Sequence, residues 1–337
     1  MNKKIAVICN HADLTGLVFS YARIYEQRGY EIKSFDVGAM SARYMVGNSL
    51  MKKAQRYLRE DIYLRKANRD LAVALKDFSP GMVLLPGKTK ILPGTIAYLK
   101  SFLPAKFVMI WQDTLCNLDE LTMANAPLFD VTASYSSAAI PVLQKLGFPN
   151  CIWMPFAGDL SIHNQPTIPD QYQYDLTFLG GWRPEREKVL ESVAKNFKNI
   201  RLQIWGPNAK EYKSPLLKDK IIIQAVRGKE FAVIINNSLI SLNVIDDTNY
   251  PAANMRFFEV PTASGLQLCS ACPEMQDQFI NREHLLYFAT DEELCTQVEF
   301  ALSNPSQVKE IRQQAYRFIL QKHTYEKRAE QLLSLLN

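Results

Sequence analysis

Short apolar runs alternate with helical patterns along this chain, and the alternation begins twice. Residues 5–9 are apolar, the stretch after them places Leu14, Val18 and Tyr25 on one helical face, and residues 31–35 predict a second strand. A strand, a crossover helix and a parallel strand form the unit from which doubly wound sheets are built. The pattern therefore predicts an α/β fold.

A polar segment separates the two series. Residues 157–173 contain two prolines and show no apolar period, which is typical of a linker. After it the alternation restarts at residues 176–179, and Pro184 is suited to the first position of a helix. We predict an N-terminal domain over 1–156, a linker over 157–173, a second domain over 174–320, and a C-terminal helix over 321–337 that crosses back to the first domain.

Composition limits the classes of partner. The chain has 337 residues, a formal net charge of +5 and 22% charged residues. This mild excess suits anionic ligands but falls short of a nucleic-acid-binding signature. The apolar run at 5–9 is too short for a signal peptide, and no run reaches the about 18 residues of a transmembrane helix. We expect a cytoplasmic protein without a membrane span, with the basic residues at 51–69 facing water.

Cysteine usage predicts a reduced protein. The expected core cysteines are Cys9, Cys116, Cys151 and Cys295. Cys269 and Cys272 form a C-x-x-C pair, for which a redox function is the alternative to a structural one. A zinc site would need further ligands, and the four histidines form no second cluster. The structural interpretation is favoured because the pair follows a predicted strand.

Ligands of open α/β sheets bind at the carboxyl ends of strands, so the residues there are the first candidates. In the first half, His11 and Asp113 follow predicted strands and are candidate bases; an ordinary loop histidine and a cap or turn aspartate are the alternatives. In the second half, Gly180 precedes Arg183 and Arg186 at a helix start. Glycines allow phosphate to approach the backbone, and arginines neutralise it. The alternative is a pair of solvated arginines.

Residues 254–265 combine the groups that hold a nucleotide diphosphate. Arg256 and Glu259 lie three residues apart and share a helical face, behind Asn254. The guanidinium and the helix start suit phosphate, and the carboxylate suits ribose hydroxyls. An ordinary surface helix with one salt bridge is the alternative. Asp246 and Asp247 are expected in a solvated loop, since adjacent carboxylates point apart on a strand.

From residue 174 to the C-terminus the chain resembles the CgeB-like (spore maturation protein-like) glycosyltransferases. The matching segments, in order, are YDLTFLGGWRPERE, IRLQIWG, SLISLNVIDD, NMRFFEVPTASGLQLCS, LLYFATDEEL and HTYEKR. The first half is similar more loosely, through WQDT and DVTASYSSAAIPVLQKLGF. The resemblance implies the GT-B fold, with two Rossmann-like doubly wound domains facing across a cleft. It also implies sugar transfer from a nucleotide diphosphate sugar, with a UDP-sugar favoured, to an unknown acceptor.

The resemblance implies roles for single residues. Glu259 matches a glutamate that contacts the donor ribose, Arg256 the arginine of the R-x-x-E pattern, and Arg186, rather than Arg183, the group that binds the diphosphate. The remaining donor-site residues are Gly180, Gly206, Asn243 and Asn254. His11 or Asp113 would face the acceptor. No cofactor and no metal is expected.

Two positions depart from the family pattern. Gln112 replaces a histidine that many GT-B enzymes carry beside the aspartate, and Pro251 replaces a glutamate of many retaining relatives. Retention and inversion both stay open. Two other functions stay open as well: a nucleotide-sugar epimerase on the same fold, and an inactive nucleotide-sugar-binding scaffold.

Overall fold

The computed structural model describes residues 2–11 and 16–336 and divides the chain into two units. Unit 1 comprises Met1–Met154 together with Arg328–Asn337, and unit 2 comprises Pro155–Lys327. Leu14, predicted on the first helical face, lies outside the described residues. The domain limits drawn from the sequence stay predictions. Residues 157–173, predicted as a linker, lie within unit 2 and contain a short helix.

Unit 1 is built on a parallel sheet. Its strands are β1 (Lys4–Cys9), β2 (Glu31–Asp36), β3 (Met82–Pro86), β4 (Lys106–Trp111), β5 (Val131–Ser134) and β6 (Cys151–Trp153). Their order in the sheet is β2-β1-β3-β4-β5-β6, with every pair parallel. The helices are α1 (Leu17–Gln27), α2 (Val37–Ala42), α3 (Ser49–Phe78), α4 (Pro93–Lys100), α5 (Glu120–Asn125) and α6 (Ile140–Lys145).

Unit 2 repeats the architecture. Its strands are β7 (Tyr174–Leu179), β8 (Leu202–Trp205), β9 (Ile221–Ile222), β10 (Ser238–Asn243), β11 (Gln267–Ser270) and β12 (Leu286–Phe288). They form a second parallel sheet in the order β12-β11-β10-β7-β8-β9. The helices are α7 (Leu160–His163), α8 (Pro184–Asn196), α9 (Gly228–Asn236), α10 (Arg256–Thr262), α11 (Asp291–Ser303), α12 (Pro305–Lys322) and α13 (Tyr325–Leu336), the last of which ends in unit 1.

Each sheet is stabilised by apolar strand residues that pack against the helices covering it. In unit 1, Ala6 and Ile8 of β1 share a core cluster with Leu71 and Leu75 of α3, all fully buried. Full burial of a leucine side chain is worth roughly 1.5–3 kcal/mol, so the C-terminal half of α3 is firmly held on the sheet. The helix is interrupted at Arg59, whose backbone angles (φ −138°, ψ 25°) are not helical. The turns before Arg59 are thus a separate segment.

The predicted α/β fold with two doubly wound sheets is confirmed. The apolar runs at 5–9, 31–35 and 176–179 lie in β1, β2 and β7, each of which extends by one or two residues beyond the predicted limits. The sequence patterns missed α2, α5 and α7, which are too short to show a helical period. In the range 321–337, predicted as one helix, α12 ends at Lys322 and α13 begins at Tyr325. None of the helices within 2–11 and 16–336 carries a long enough apolar stretch to cross a membrane.

The cysteines are free thiols. Of the four predicted core residues, Cys9 is buried, Cys151 and Cys295 are partly buried, and Cys116 is exposed, so the prediction for Cys116 was wrong. Cys269 and Cys272 are both buried. Burial raises the pKa of Cys272 to about 12 and that of Cys269 well above its ordinary value. Because the thiolate is the reactive form, these shifts oppose a redox function and favour the structural interpretation.

Candidate functional site

The strand order places one topological switch point in each unit. In unit 2, β7 lies between β8 and β10, and the chain leaves β7 toward β8 before it returns to β10 on the other side. Ligands of doubly wound sheets bind outside the carboxyl ends of the two strands at such a point. We call the residues that follow β7, β8 and β10, together with α10, the unit 2 site. In unit 1, β1 and β3 hold the corresponding position.

Two glycines let the loops after β7 and β8 approach closely. The Gly180 N–H donates to the carbonyl of Trp205 at 2.9 Å. A Cβ atom at Gly206 would lie 2.4 Å from the Gly180 carbonyl oxygen, which is closer than real Cβ contacts come. A Cβ at Gly181 would meet nothing within 4 Å. Gly206 is therefore required for the packing of these two loops.

Arg186 joins the two strand ends at the switch point. Its Nη2 donates to Asp246 Oδ2 at 2.7 Å, and its Nη1 donates to the carbonyl of Gly181 at 3.0 Å. Asp246 also accepts from Thr248 Oγ1 at 2.6 Å and from Asn249 Nδ2 at 2.8 Å. Asp246 is buried, so its prediction as part of a solvated loop was wrong, while Asp247 is exposed. A carboxylate after β10 thus fixes an arginine after β7.

Both members of this pair have shifted pKa values. Burial lowers the pKa of Arg186, and the charge of Asp246 opposes the shift. Burial alone would raise the pKa of Asp246, but hydrogen bonding from Thr248 and the charge of Arg186 bring it below its ordinary value. The directions describe an ion pair that is charged at neutral pH. Arg186 is thus held in place before any ligand arrives.

Asn243 and Asn254 form a reciprocal amide pair beside it. Asn243 Nδ2 donates to Asn254 Oδ1 at 3.1 Å, and Asn254 Nδ2 donates to Asn243 Oδ1 at 2.8 Å. Asn254 Oδ1 also accepts from the N–H of Phe257 at 3.1 Å, in the first turn of α10. Such a side-chain bond satisfies a backbone donor that a helix start leaves open. The pair therefore couples the end of β10 to the start of α10.

Arg256 and Glu259 are paired on α10. Arg256 Nη1 donates to Glu259 Oε2, and Arg256 Nε donates to the carbonyl of Leu179, the last residue of β7, at 3.2 Å. The guanidinium also lies over the ring of Phe231, 4.3 Å from its centre. Glu259 is buried, and the Arg256 side chain is partly exposed. The structure thus brings Arg256 to the carboxyl end of β7, as a phosphate-binding function requires.

His163 belongs to the same cluster, and sequence reasoning missed it. Its Nε2 lies 3.8 Å from Glu259 Oε1, and its ring packs edge-on against Phe231 at 5.7 Å. His163 lies on α7, in the polar stretch predicted as a linker. No periodicity marked it, since the four-residue helix is too short for one. Glu259 therefore has a cation on one oxygen and an imidazole near the other.

Arg183 occupies a different environment. It is the N-cap residue of α8, in front of Pro184, and its side chain is exposed. Glu185 and Glu187 lie in the first turn of this helix, and Glu187 accepts from Trp182 Nε1 at 2.7 Å. Of the two arginines predicted to bind phosphate, Arg186 is engaged with Asp246, and Arg183 points its charge to solvent.

Asp113, the candidate base of unit 1, is held in an ion pair. Its Oδ2 lies 2.6 Å from Lys88 Nζ, and its two oxygens accept from Asn117 Nδ2 at 3.0 Å and 3.1 Å. Burial alone would raise the pKa of Asp113, but the bonds from Lys88 and Asn117 lower it. A lowered pKa weakens a carboxylate as a general base.

His11, the other candidate base, is exposed beside the switch point of unit 1. The neighbouring Asn10 joins the ends of β1 and β3: its Nδ2 donates to the Lys88 carbonyl at 2.7 Å, and its Oδ1 accepts from the Lys90 N–H at 2.8 Å. His11 and Asn10 line a small pocket of about 70 Å³ with Glu60 of α3. His11 therefore borders a cavity at the position where a doubly wound sheet binds ligands.

The structure gathers Arg186, Asn243, Asn254, Arg256 and Glu259 at one end of the unit 2 sheet, with Gly180 and Gly206 in the adjoining loops. Within the part of the chain that the structure describes, no three His, Cys, Asp or Glu side chains are grouped so that they could hold a metal ion. The cations that the structure brings to the end of β7 there are Arg186 and Arg256. The arrangement suits an anion with hydroxyl groups beside it.

Comparisons with known proteins bear on the family and the fold of the chain. A family model described as glycosyl transferase-like matches residues 183–334, which include most of the unit 2 site. No curated protein sequence matches the chain. A glycosyltransferase from Rickettsia africae has a similar structure, with a TM-score of 0.70 and 13% identity over 99% of this chain and 97% of that one.

Two further solved structures are similar over the whole length. The Anabaena protein HepE, in complex with UDP-glucose, has a TM-score of 0.67 and 8% identity over 99% of each chain. A Listeria monocytogenes protein assigned as a UDP-N-acetylglucosamine 2-epimerase has a TM-score of 0.59 and 12% identity, over 99% of this chain and 95% of that one. The fold of this chain is thus that of GT-B glycosyltransferases, and residues 183–334 are similar to the glycosyl transferase-like family.

Proposed function

We propose that the protein is a CgeB-like glycosyltransferase that moves a sugar from a nucleotide diphosphate sugar, with UDP favoured, to an acceptor hydroxyl without a metal ion. One observation carries the proposal: Arg186 and Arg256 are both fixed at the carboxyl end of β7, inside the segment that matches the glycosyl transferase-like model. The similar Anabaena structure in complex with UDP-glucose supports a UDP-sugar as the donor.

The residues of unit 2 supply charge for the leaving group. In transfer, the bond between the anomeric carbon and the diphosphate oxygen breaks, and the diphosphate leaves with the electron pair. Arg256, the exposed Arg183 and the N-terminus of α8 would stabilise that negative charge. Arg186 would hold the loop in place through its ion pair with Asp246. The part of its positive charge that Asp246 does not neutralise would add to the stabilisation of the leaving group. Glu259 would accept hydrogen bonds from the ribose hydroxyls.

The residues of unit 1 would serve the acceptor. The acceptor hydroxyl gives its proton to a base as its oxygen bonds to the anomeric carbon. His11 and Asp113 are the candidates for inversion, and the lowered pKa of Asp113 favours His11. Neither Gln112 nor Pro251 supplies the side chain that many related enzymes carry at its position. Retention and loss of catalysis therefore stay as alternatives.

An epimerase is the second candidate, favoured by the similar Listeria structure. An epimerase would interconvert nucleotide sugars with no acceptor present, whereas a transferase releases nucleotide diphosphate in proportion to acceptor. Incubating UDP-sugars alone and with mixed acceptors, and following both the sugar configuration and UDP release, separates the two. Epimerised donor without UDP release would contradict the transferase.

The donor site is tested by thermal unfolding with UDP, GDP, dTDP, CMP and UDP-sugars. A ligand at 100 times its Kd should stabilise the folded state by roughly 2.7 kcal/mol. We expect one nucleotide to stabilise the parent and to stabilise Glu259→Gln much less, each compared with its own ligand-free state. Asp170→Asn, which changes an exposed carboxylate of the same unit, is the control. No shift with any nucleotide would contradict the proposed donor site.

A further inference from the structure

The first turns of α3 present an apolar stripe to solvent. Leu50 is 77% exposed, Met51 52%, Tyr57 88% and Leu58 76%. On a helix, residues seven and eight apart share a side, so Leu50, Tyr57 and Leu58 form one stripe with Met51 at its edge. Large apolar side chains that are exposed side by side mark an interaction surface, whereas singly scattered ones do not.

The charge of this segment is entirely positive. Residues 49–59 carry four Lys or Arg and no Asp or Glu. Lys52, Lys53 and Arg59 are exposed. By helical spacing Lys53 lies beside Tyr57 at one edge of the stripe, and Lys52 and Arg59 lie on the polar face turned away from it. A short helix with an apolar stripe and a basic polar face is the pattern of helices that lie in the interface of an anionic membrane.

The segment is also set apart from the rest of α3. The helix is interrupted at Arg59, and burial begins only at Tyr63 and Leu64. Gln55 orients the segment, because its side chain accepts from the Val46 N–H at 3.2 Å and donates to the Val46 carbonyl at 2.7 Å. The Gln55 contact thus holds the segment with its apolar stripe facing solvent. The segment is joined to the C-terminal half of α3, which is packed on the sheet of unit 1.

We propose that residues 49–59 bind the surface of an anionic lipid bilayer, with Leu50, Tyr57 and Leu58 inserted among the acyl chains and the basic residues on the lipid headgroups. Charge argues against a second copy of this chain as the occupant, because residues 49–59 of each copy carry four Lys or Arg and no Asp or Glu, so two apposed segments would repel. Anionic headgroups complement these charges along the whole segment.

The test is cosedimentation of the full chain with vesicles of phosphatidylglycerol and phosphatidylcholine, compared with vesicles of phosphatidylcholine alone. We expect binding to the anionic vesicles only, weakening as salt is added. Leu50→Ser with Leu58→Ser removes the apolar contact, and Lys52→Glu with Lys53→Glu reverses charge. Each lysine near an anionic surface contributes roughly fivefold in partitioning, so the charge variant should bind about 30-fold more weakly or worse.

Lys145→Glu with Leu146→Ser is the matched control, since both residues are exposed on another part of unit 1. Thermal unfolding of every variant shows whether it folds, and we expect unchanged midpoints because the altered side chains are exposed. Failure of the parent to bind anionic vesicles, equal binding to neutral vesicles, or full binding by both test variants would overturn the proposal. So would a dimer in light scattering that Leu50→Ser with Leu58→Ser dissociates, because a second copy would then cover the stripe.

Discussion

Asp246 and Arg186, separated by 60 residues in the chain, form an ion pair of 2.7 Å that joins the loops after β10 and β7. Their side chains are only 6% and 14% exposed. The two strands flank the topological switch point of unit 2. One interaction therefore sets both the local stability of the unit 2 site and the position of its most buried cation.

Replacing Asp246 by asparagine should destabilise the protein. The change removes the charge that compensates a buried guanidinium, and breaking a buried pair in this way costs roughly 3–5 kcal/mol. Urea unfolding at neutral pH measures the loss. Asp170→Asn breaks the exposed pair with Lys309 and should cost about 1 kcal/mol or less. Equal losses in the two variants would contradict the assignment of Asp246 as a compensating charge.

Replacing both partners should separate stability from binding. Arg186→Met with Asp246→Leu leaves no unpaired charge, so it should recover most of the stability that Asp246→Asn loses. Nucleotide affinity should stay low, because the loop cation is gone. Urea unfolding and titration calorimetry with UDP give the two quantities. If the double variant binds UDP with parental affinity, Arg186 does not contribute to donor binding.

The lowered pKa of Asp246 also predicts a pH dependence. Its folded pKa lies below its unfolded value of about 3.9. The stabilisation is therefore complete above the unfolded pKa and is lost as pH falls through the folded pKa. The free energy of unfolding of the parent should fall more steeply below about pH 5 than that of Asp246→Asn. Parallel curves would show that this carboxyl has the same pKa in both states.

Local patterns were enough to predict the α/β fold and the strand ends where polar residues gather. Arg186, Arg256 and Glu259 could be named because each follows a predicted strand in sequence. The pairing of Arg186 with Asp246 could not be predicted from the sequence, since it depends on which strands become neighbours. His163 was missed for the same reason: only tertiary packing brings a residue of the polar segment 157–173 to within 3.8 Å of Glu259.

The close approach of two loops makes Gly206 sensitive to a single methyl group. The Cβ of Gly206→Ala would lie 2.4 Å from the Gly180 carbonyl oxygen, so the backbone must move. Overpacking of this kind costs roughly 1–3 kcal/mol, and UDP affinity should fall with it. Gly181→Ala, in the same loop, meets no neighbour and should change stability by less than about 0.5 kcal/mol. Differential scanning calorimetry compares the two, and similar midpoints would contradict the required contact.

Asn254 should matter to α10 more than an ordinary surface asparagine would. Asn254→Ala removes the bond to the Phe257 N–H, worth about 1 kcal/mol, and leaves the Asn243 amide with one partner fewer. Because Arg256 lies in the same turn, UDP binding should weaken together with stability. Asn196→Ala, at the exposed C-terminal end of α8, is the control. A stable variant with parental UDP affinity would show that the amide pair does not position Arg256.

The identity of the base can be tested with three variants of unit 1. If His11 accepts the proton, His11→Ala should lower kcat by about 10²–10⁴-fold with a smaller change in KM, while Asp113→Asn has a modest effect.

Lys88→Met gives a second test through the pH profile. It removes a bond that lowers the pKa of Asp113, so that pKa should rise toward its ordinary value. If Asp113 is the base, the acidic limb of the kcat profile should move to higher pH in Lys88→Met, because the carboxylate then forms only at higher pH. With His11 as the base that limb stays where it is in Lys88→Met and disappears in His11→Ala. Parental activity in both His11→Ala and Asp113→Asn would exclude the pair and direct attention to a retaining mechanism.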